Sequence, residues 1–366
     1  MHRSWLEVSL GQIEANFEAI RTLVGKGITV MPVVKADAYR HGAVAVARAL
    51  ERAGAEWLAV SCVQEGAALR DAGILSRILV MADFLPSSRE AFFDYRLTPA
   101  LHDLAEIAEF ERIAARRQQP AAFHLKIDSG MGRLGTRAAA RQITEAVEAN
   151  HFAVLEGMMT HFASAGDYES PQTDEQTEYF FRLLEETGFR PNYVHLASTI
   201  PIAYGRRAAW GNMVRPGHAI YGYISPAKGK ISECALRVSP ALTWKTRILE
   251  VKDIPAGAPV GYGAIYRAPV ATRIAMLAAG YADGYPHRLS NKGRVLINDR
   301  ICNVLGAVSM DVTTVDVSAV PDIKPGDPVT LLGGPIDAQH IARTAGTISY
   351  AVLCGISSRV ARMFVE

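Results

Sequence analysis

The chain has 366 residues, 49% of them hydrophobic and 21% charged, with a net charge of +2. That length exceeds what one core usually holds, so two domains are expected, with the composition of an ordinary globular protein. No basic run and no apolar stretch of membrane-spanning length occurs, so neither nucleic acid nor a bilayer is an expected partner.

The opening Met1-His2-Arg3-Ser4-Trp5-Leu6-Glu7 lacks the apolar stretch of a signal peptide. A helix is expected over 10–23, with Ser9 as N-cap and Gln12 completing a capping box. Short apolar runs then alternate with amphipathic segments. Strands are expected at 30–34, 57–61, 78–81, 97–100, 123–127, 155–160, 193–197 and near 213–215. Helices are expected between them at 41–53, 63–72, 104–115, 138–149 and 173–186. Eight strands alternating with helices predict a parallel sheet closed into a (β/α)₈ barrel of the TIM type over residues 1–235.

Beyond a loop-like link at Ser225-Pro226-Ala227-Lys228-Gly229-Lys230 the character changes. Strand runs at 242–251, 274–278, 295–297, 312–317 and 329–332 are punctuated by turn signals such as Asn298-Asp299 and Lys324-Pro325-Gly326-Asp327. Residues 236–366 therefore read as a second, mostly β domain. Cys62, Cys234, Cys302 and Cys354 are scattered with no C-x-x-C pair, which suits reduced thiols in the cytoplasm and offers no metal site.

Reactive groups of such barrels gather at the C-terminal ends of the strands. Lys35, Lys126, His161, Ser198 and Arg215 all fall at expected strand ends. Lys35 follows the apolar Ile28, Val30, Val33 and Val34, and a lysine held in a dry pocket loses its proton easily. Its neutral amine could form a Schiff base with an aldehyde cofactor. On spacing alone, a lysine extending outward from a strand end explains the position better.

Seven segments in one order carry a resemblance that decides between these readings. They are Val33-Val34-Lys35-Ala36-Asp37-Ala38-Tyr39-Arg40-His41-Gly42, Lys126-Ile127-Asp128-Ser129-Gly130-Met131-Gly132-Arg133, Met159-Thr160-His161-Phe162-Ala163, Val214-Arg215-Pro216-Gly217, Gly261-Tyr262-Gly263-Ala264, Gly280-Tyr281-Ala282-Asp283-Gly284-Tyr285 and Ser309-Met310-Asp311. Together they resemble the pyridoxal-phosphate-dependent alanine racemase family over nearly the whole chain. The resemblance implies a homodimeric isomerase interconverting L- and D-alanine, for peptidoglycan or for alanine catabolism. It implies Lys35 as the residue that bonds pyridoxal 5'-phosphate and as the base on one face of the substrate Cα. Tyr262, delivered by the partner subunit, is implied as the base on the other face.

By the same resemblance, Tyr39, Ser198, Thr199, Gly217 and His218 would hold the cofactor's phosphate end. Arg215 would face the pyridine nitrogen, with His161 linking it to the tyrosine. Arg133 would touch the cofactor and the substrate carboxylate, steadied by Lys126 if that lysine is carbamylated. Met310 and Asp311 would close over the substrate, and Tyr281 would line its entry. The chain departs from the family pattern at Arg40, where glycine is usual, leaving open a new ion pair or crowding of the phosphate. Ser198-Thr199 replaces Asn-Ser, His218 replaces an aliphatic residue, and Ser358 stands where some members have tyrosine. A racemase for serine or a broader range of amino acids, and a decarboxylase of the same plan, are the competing readings.

Overall fold

The computed structural model describes residues 2–229, 231 and 233–366. Met1 of the opening segment and Lys230 of the expected link lie outside the described residues. The chain divides into two compact units, one of residues 13–38 and 43–239, the other of residues 1–12, 39–42 and 240–366.

The amino-terminal strand β1 (Ser4–Ser9) belongs to the second unit and is taken up below. The first unit holds strands β2 (Thr29–Val30), β3 (Trp57–Val60), β4 (Arg77–Val80), β5 (Thr98–Leu101), β6 (Ala121–Lys126), β7 (Ala153–Met159), β8 (Tyr193–His195) and β9 (Met213–Val214). Strands β3 to β8 pair in parallel in chain order, and β2 pairs in parallel with β9. Backbone bonds join the two groups at both edges, among them Ala59 N–H to Pro32 O at 2.9 Å and Asn212 N–H to Val194 O at 3.0 Å. Val34 N–H donates to Ala59 O at 2.8 Å, and Arg215 N–H to Ala197 O at 2.9 Å. The result is the expected (β/α)₈ barrel. Every residue of β3 and of β5 is buried, as a parallel sheet covered on both faces requires.

The barrel helix Leu104–Arg117 follows from its apolar stripe. Ile107, Phe110, Ile113 and Ala114 turn inward at helical spacing, and Asp103 caps the start by accepting from Ala105 N–H at 2.8 Å. Ser9 likewise accepts from Gln12 N–H at 3.1 Å ahead of the helix Leu10–Val24.

The second unit is built on β10 (Leu242–Ile254), whose thirteen residues serve three partners. Its first half lies between β1 and β17 (Pro328–Leu332), and beyond a bulge at Ile248/Glu250 it pairs with β13 (Thr272–Leu277). The sheet continues through β14 (Arg294–Ile297), β15 (Arg300–Asn303), β16 (Thr313–Asp316) and β18 (Ala361–Val365). A small ribbon, β11 (Pro259–Val260) with β12 (Tyr266–Arg267), flanks Tyr262. Helices Ala338–Ala345 and Ser349–Cys354, absent from the sequence reading, also belong here.

The expected division at 235/236 differs from what is observed in two respects. The chain passes between units at Ser239/Pro240, and residues 1–12 fold with the β unit rather than the barrel. The reason is pairing: β1 lies antiparallel to β10 and parallel to β18. Partners more than two hundred residues away leave no local mark on Trp5–Val8.

Candidate functional site

Lys35 ends the extended segment that begins at β2. Val33 N–H donates to Pro216 O at 2.9 Å, and Tyr221 Oη donates to Val33 O at 2.9 Å, so the backbone before the lysine is held from both sides. Beyond it, Ala36, Asp37, Ala38, Tyr39 and Arg40 all have positive φ, between 51° and 68°. Such left-handed conformation costs about 1–2 kcal/mol per residue. Side chains pin this turn. Glu65 Oε1 accepts from Ala36 N–H at 2.7 Å while its Oε2 accepts from Ser61 N–H at 2.7 Å, and Asp37 Oδ1 accepts from Ala43 N–H at 2.8 Å. Arg40, at φ 68°, occupies a conformation that suits glycine, and its Nε donates to Cys354 O at 3.2 Å. Neither crowding nor an ion pair is needed to account for it. Tyr39 is buried, with its ring 6.0 Å from that of Tyr350, and burial pushes its hydroxyl above the usual range.

Lys126 ends β6 and is 5% exposed. Burial, together with the charges of Arg133 and Arg215, lowers its ammonium to about 8. Arg133 stands on a loop that leaves the strand at Asp128 and returns at Thr136. Asp128 N–H donates to Thr136 O at 3.0 Å, and Thr136 N–H to Lys126 O at 2.9 Å. Inside the loop Asp128 Oδ1 accepts from the N–H groups of Gly130, Met131 and Gly132, while Oδ2 accepts from Arg137 Nε at 2.8 Å. Gly135 closes it at φ 124°, where a Cβ would lie 2.7 Å from Asp128 N. Arg133 itself is exposed.

His161 and Arg215 meet between β7 and β9. The guanidinium is 3% exposed and satisfied entirely by neutral acceptors. Its NH1 donates to His195 Nδ1 at 2.7 Å and to His195 O at 2.6 Å. Its NH2 donates to Thr160 O at 2.6 Å and to Leu196 O at 3.0 Å, with His161 Nδ1 at 3.5 Å. Burial alone brings Arg215 down to about 9. His161 falls to about 3, through burial first and then through the charges of Arg215, Arg133, Lys126 and Lys35. It is therefore neutral at physiological pH.

Thr199 Oγ1 accepts from both Gly217 N–H and Ala219 N–H at 3.2 Å, which folds the turn after Arg215 onto the start of the short helix Thr199–Ala203. Gly217 and His218 are buried at this turn, and Ser198 precedes the helix in an extended conformation without capping it.

The remaining expected residues lie in the β unit. Tyr262 is 76% exposed, between Gly261 and Gly263, both at φ 69°. Met310 and Tyr281 are also exposed. Tyr281 N–H donates to Ser309 O at 3.0 Å, so the two segments are joined. Asp311 receives Arg359 NH2 at 2.6 Å, and the same arginine holds the buried Asp283 at 2.7 Å. That network gives the Asp311 carboxylate a structural partner already.

Lys35, Lys126, Arg133 and Arg215 all bear on His161, and Asp128 is the acid that offsets them at Lys126. Its oxygens are taken by the loop and by Arg137. A site with this surplus of positive charge and of N–H donors fits an anionic ligand such as a phosphate ester or a carboxylate. No group of three or more His, Cys, Asp or Glu suited to a metal occurs among the described residues. The sequence reading missed His124, Glu156 and His195, which line up behind Arg215. A signal was present, because polar residues inside otherwise apolar parallel strands are unusual and His124 shares the face of Lys126 at a spacing of two.

Comparison with known proteins gives a consistent result. The family profile described as alanine racemase, N-terminal domain, matches residues 8–226, and that described as alanine racemase, C-terminal domain, matches residues 241–364. An alanine racemase of Symbiobacterium thermophilum is 40% identical over 373 residues, covering 100% of this chain and 97% of the relative. One from Halothermothrix orenii is 38% identical over 374 residues, covering 99% and 96% respectively. The solved alanine racemase of Clostridium difficile superposes with a TM-score of 0.94 at 32% identity, covering 100% of this chain and 96% of that one.

Proposed function

The chain belongs to the alanine racemase family, and from that premise we propose that it interconverts L- and D-alanine with pyridoxal 5'-phosphate held at Lys35. The observation that carries the reading is the buried Arg215 guanidinium 3.5 Å from His161, with Lys126 buried at the end of β6, cationic groups that suit an anionic ligand. Pyridoxal phosphate supplies an aldehyde for amine capture and an electron sink that makes the substrate Cα proton acidic.

The chain's residues supply the rest. With the cofactor bound, the Lys35 amine would hold and move the proton at one face of the substrate Cα. Tyr262 serves the other face. Its exposure on the β unit suits a residue that works in a partner's site, so the functional form is a homodimer with shared sites. A phenol's ordinary pKa near 10 makes it a weak base unless its oxyanion is stabilised. Neutral His161, accepting from Arg215 at Nδ1, has its Nε2 hydrogen free for that task. Arg215 can only donate and keeps its proton, so a ring nitrogen facing it stays unprotonated. This limits how far charge spreads and suits racemisation better than decarboxylation. Tyr39, Ser198, Thr199 and the turn at Gly217 and His218 receive the phosphate. Arg133 would take the substrate carboxylate, with the partner subunit's Met310 and the partner subunit's Asp311 closing over the substrate and Tyr281 lining an entry channel. A Lys126 amine at about 8 is partly neutral at physiological pH and so able to take up carbon dioxide, giving a carbamate that steadies Arg133. An intact mass that does not rise by one carbon dioxide in bicarbonate would count against that modification.

No helix among the described residues is long and apolar enough to cross a membrane. None of the four cysteines is in a disulfide, which suits a reducing cytoplasm on this reading. Purified protein with pyridoxal phosphate should form D-alanine from L-alanine faster than D-serine from L-serine. Borohydride should fix the cofactor on Lys35; label on another lysine, or no D-alanine, overturns the assignment.

A further inference from the structure

We propose that Glu156 is a positioning residue for Arg215, acting through the hydrogen-bonded pair His195 and His124 as the counter-charge that the last N–H of the line faces. The inference rests on the reading of Arg215 as the residue that faces the cofactor ring. The residues span four strands of the barrel and the segment after a fifth: Arg77 on β4, His124 on β6, Glu156 on β7, His195 on β8 and Arg215 after β9.

The order follows from what each group can do. A guanidinium only donates, so His195 Nδ1, 2.7 Å from Arg215 NH1, must be bare. A neutral His195 then carries its hydrogen on Nε2. That nitrogen lies 2.7 Å from His124 Nδ1, which must accept and therefore also be bare. His124 in turn carries its hydrogen on Nε2, which faces Glu156 Oε2 at 3.7 Å. Among the described residues His124 Nε2 has no closer hydrogen-bond partner. The carboxylate only accepts, and it is held by both nitrogens of Arg77 at 2.7 and 2.6 Å. Both ends thus enforce one direction, and neither imidazole can reverse without setting two N–H groups face to face.

Nothing else can compensate. His124 and His195 are 0% exposed, so no bulk water can exchange for a lost partner. Burial keeps both imidazoles well toward the neutral form, as the order requires. The His124 ring is walled in by Trp57 at 5.4 Å and Tyr193 at 5.9 Å. It lies so close to β7 that a Cβ on Gly157 would be 2.6 Å from His124 Nδ1. The ring therefore has one place to be. Glu156 is also the one negative charge along this line. Arg215 has no carboxylate of its own, so the polarised imidazole pair is what links its charge to a counter-charge. Removing the charge leaves the chain of donors without a charged terminal acceptor, so the hydrogen on His124 Nε2 is no longer drawn toward a counter-charge and the pair polarises Arg215 less.

The test begins with the unmutated holoenzyme labelled with ¹⁵N-histidine. At neutral pH the signals of His124 and His195, assigned by substitution of each in turn, should both be those of neutral rings protonated at Nε2. An Nδ1-protonated or doubly protonated ring at either position overturns the proposal, and this arm needs no variant at Glu156. In Glu156→Gln, whose amide can offer oxygen or NH₂ to His124 Nε2 against the order that Arg215 imposes, the His124 ring-nitrogen signals should shift away from the parent's Nε2-protonated signature. By analogy with partners one step behind a working group, kcat should fall about tenfold with KM within roughly twofold. Glu156→Asp should recover part of that loss. Unchanged His124 signals and unchanged kcat in Glu156→Gln overturn the proposal. Failure of the racemase reading is distinguishable, because it would abolish D-alanine formation in the unmutated protein while leaving the tautomer order as stated.

Discussion

Replacing Glu65 with glutamine tests whether the left-handed turn after Lys35 is held by that carboxylate. Five successive residues with φ of 51° to 68° store on the order of 5–10 kcal/mol against the turn. Glu65 opposes the strain with two bonds at 2.7 Å, one to Ala36 N–H and one to Ser61 N–H. Bonds to a charged acceptor are worth about 1.5–3 kcal/mol each. Glutamine keeps one oxygen but turns an NH₂ toward the other backbone donor, so one bond is lost outright. Because the site is partly open to water, the lower part of the range applies, about 1.5–2 kcal/mol. That amount raises local opening roughly 10- to 30-fold. The readout is hydrogen exchange of the peptide spanning residues 33–43 by mass spectrometry, alongside urea unfolding. Exchange in that segment should rise by this factor while distant strands exchange as before. Trapping of pyridoxal phosphate on Lys35 by borohydride should slow in parallel, since the lysine loses its fixed approach. Unchanged exchange at residues 33–43, with unfolding free energy within about 0.5 kcal/mol of the parent, would refute the idea.

Tyr262→Phe should reduce racemisation by at least about 10²- to 10⁴-fold while slow exchange of the D-alanine Cα hydrogen with deuterated water survives through Lys35. Normal exchange of both enantiomers would remove Tyr262 as a base and make His161 the next candidate. Mixing inactive Lys35→Ala and Tyr262→Phe chains should restore activity through one intact hybrid site, and no recovery after verified subunit exchange would argue against shared sites. The paired hydrogen bonds and the charge of Arg77, with the N–H of neutral His124 facing the carboxylate, outweigh burial and hold the Glu156 carboxyl at about 2, below its ordinary 4.5. A depressed carboxyl contributes stability that is present above about 4.5 and lost as pH falls toward about 2. Acid titration of unfolding should therefore be shallower in Glu156→Gln across that window, and an identical slope would show that the carboxyl is not so held.

Much of the barrel was legible because its signals are local. The runs read as strands at 57–61, 78–81 and 97–100 are too short for helices, stripes at three- and four-residue spacing separate them, and the strands stand at 57–60, 77–80 and 98–101. Ser9 and Gln12 announced the first helix in the same way. The expected site residues Lys35, Lys126, His161 and Arg215 stood at strand ends, which a closed parallel sheet brings to one rim whatever the intervening sequence. What escaped depended on distant partners. Strand β1 finds β10 and β18, and Arg40 finds the Cys354 carbonyl, through contacts that no window of neighbouring residues contains.

The sequence by itself determined the order of strands and helices, the change to β structure after the barrel, and which residue types could take part in amine chemistry. Those features follow from periodicity and from side-chain identity, which neighbouring residues express. Only the tertiary structure decided the handedness of the turn after Lys35, the membership of residues 1–12, and the protonation pattern behind Arg215. A left-handed run of non-glycine residues opposes local preference and persists only where outside groups such as Glu65 hold it. The hydrogen on a buried imidazole is likewise set by what faces it. At His124 and His195 the facing groups come from separate strands that only barrel closure brings within 2.7 Å.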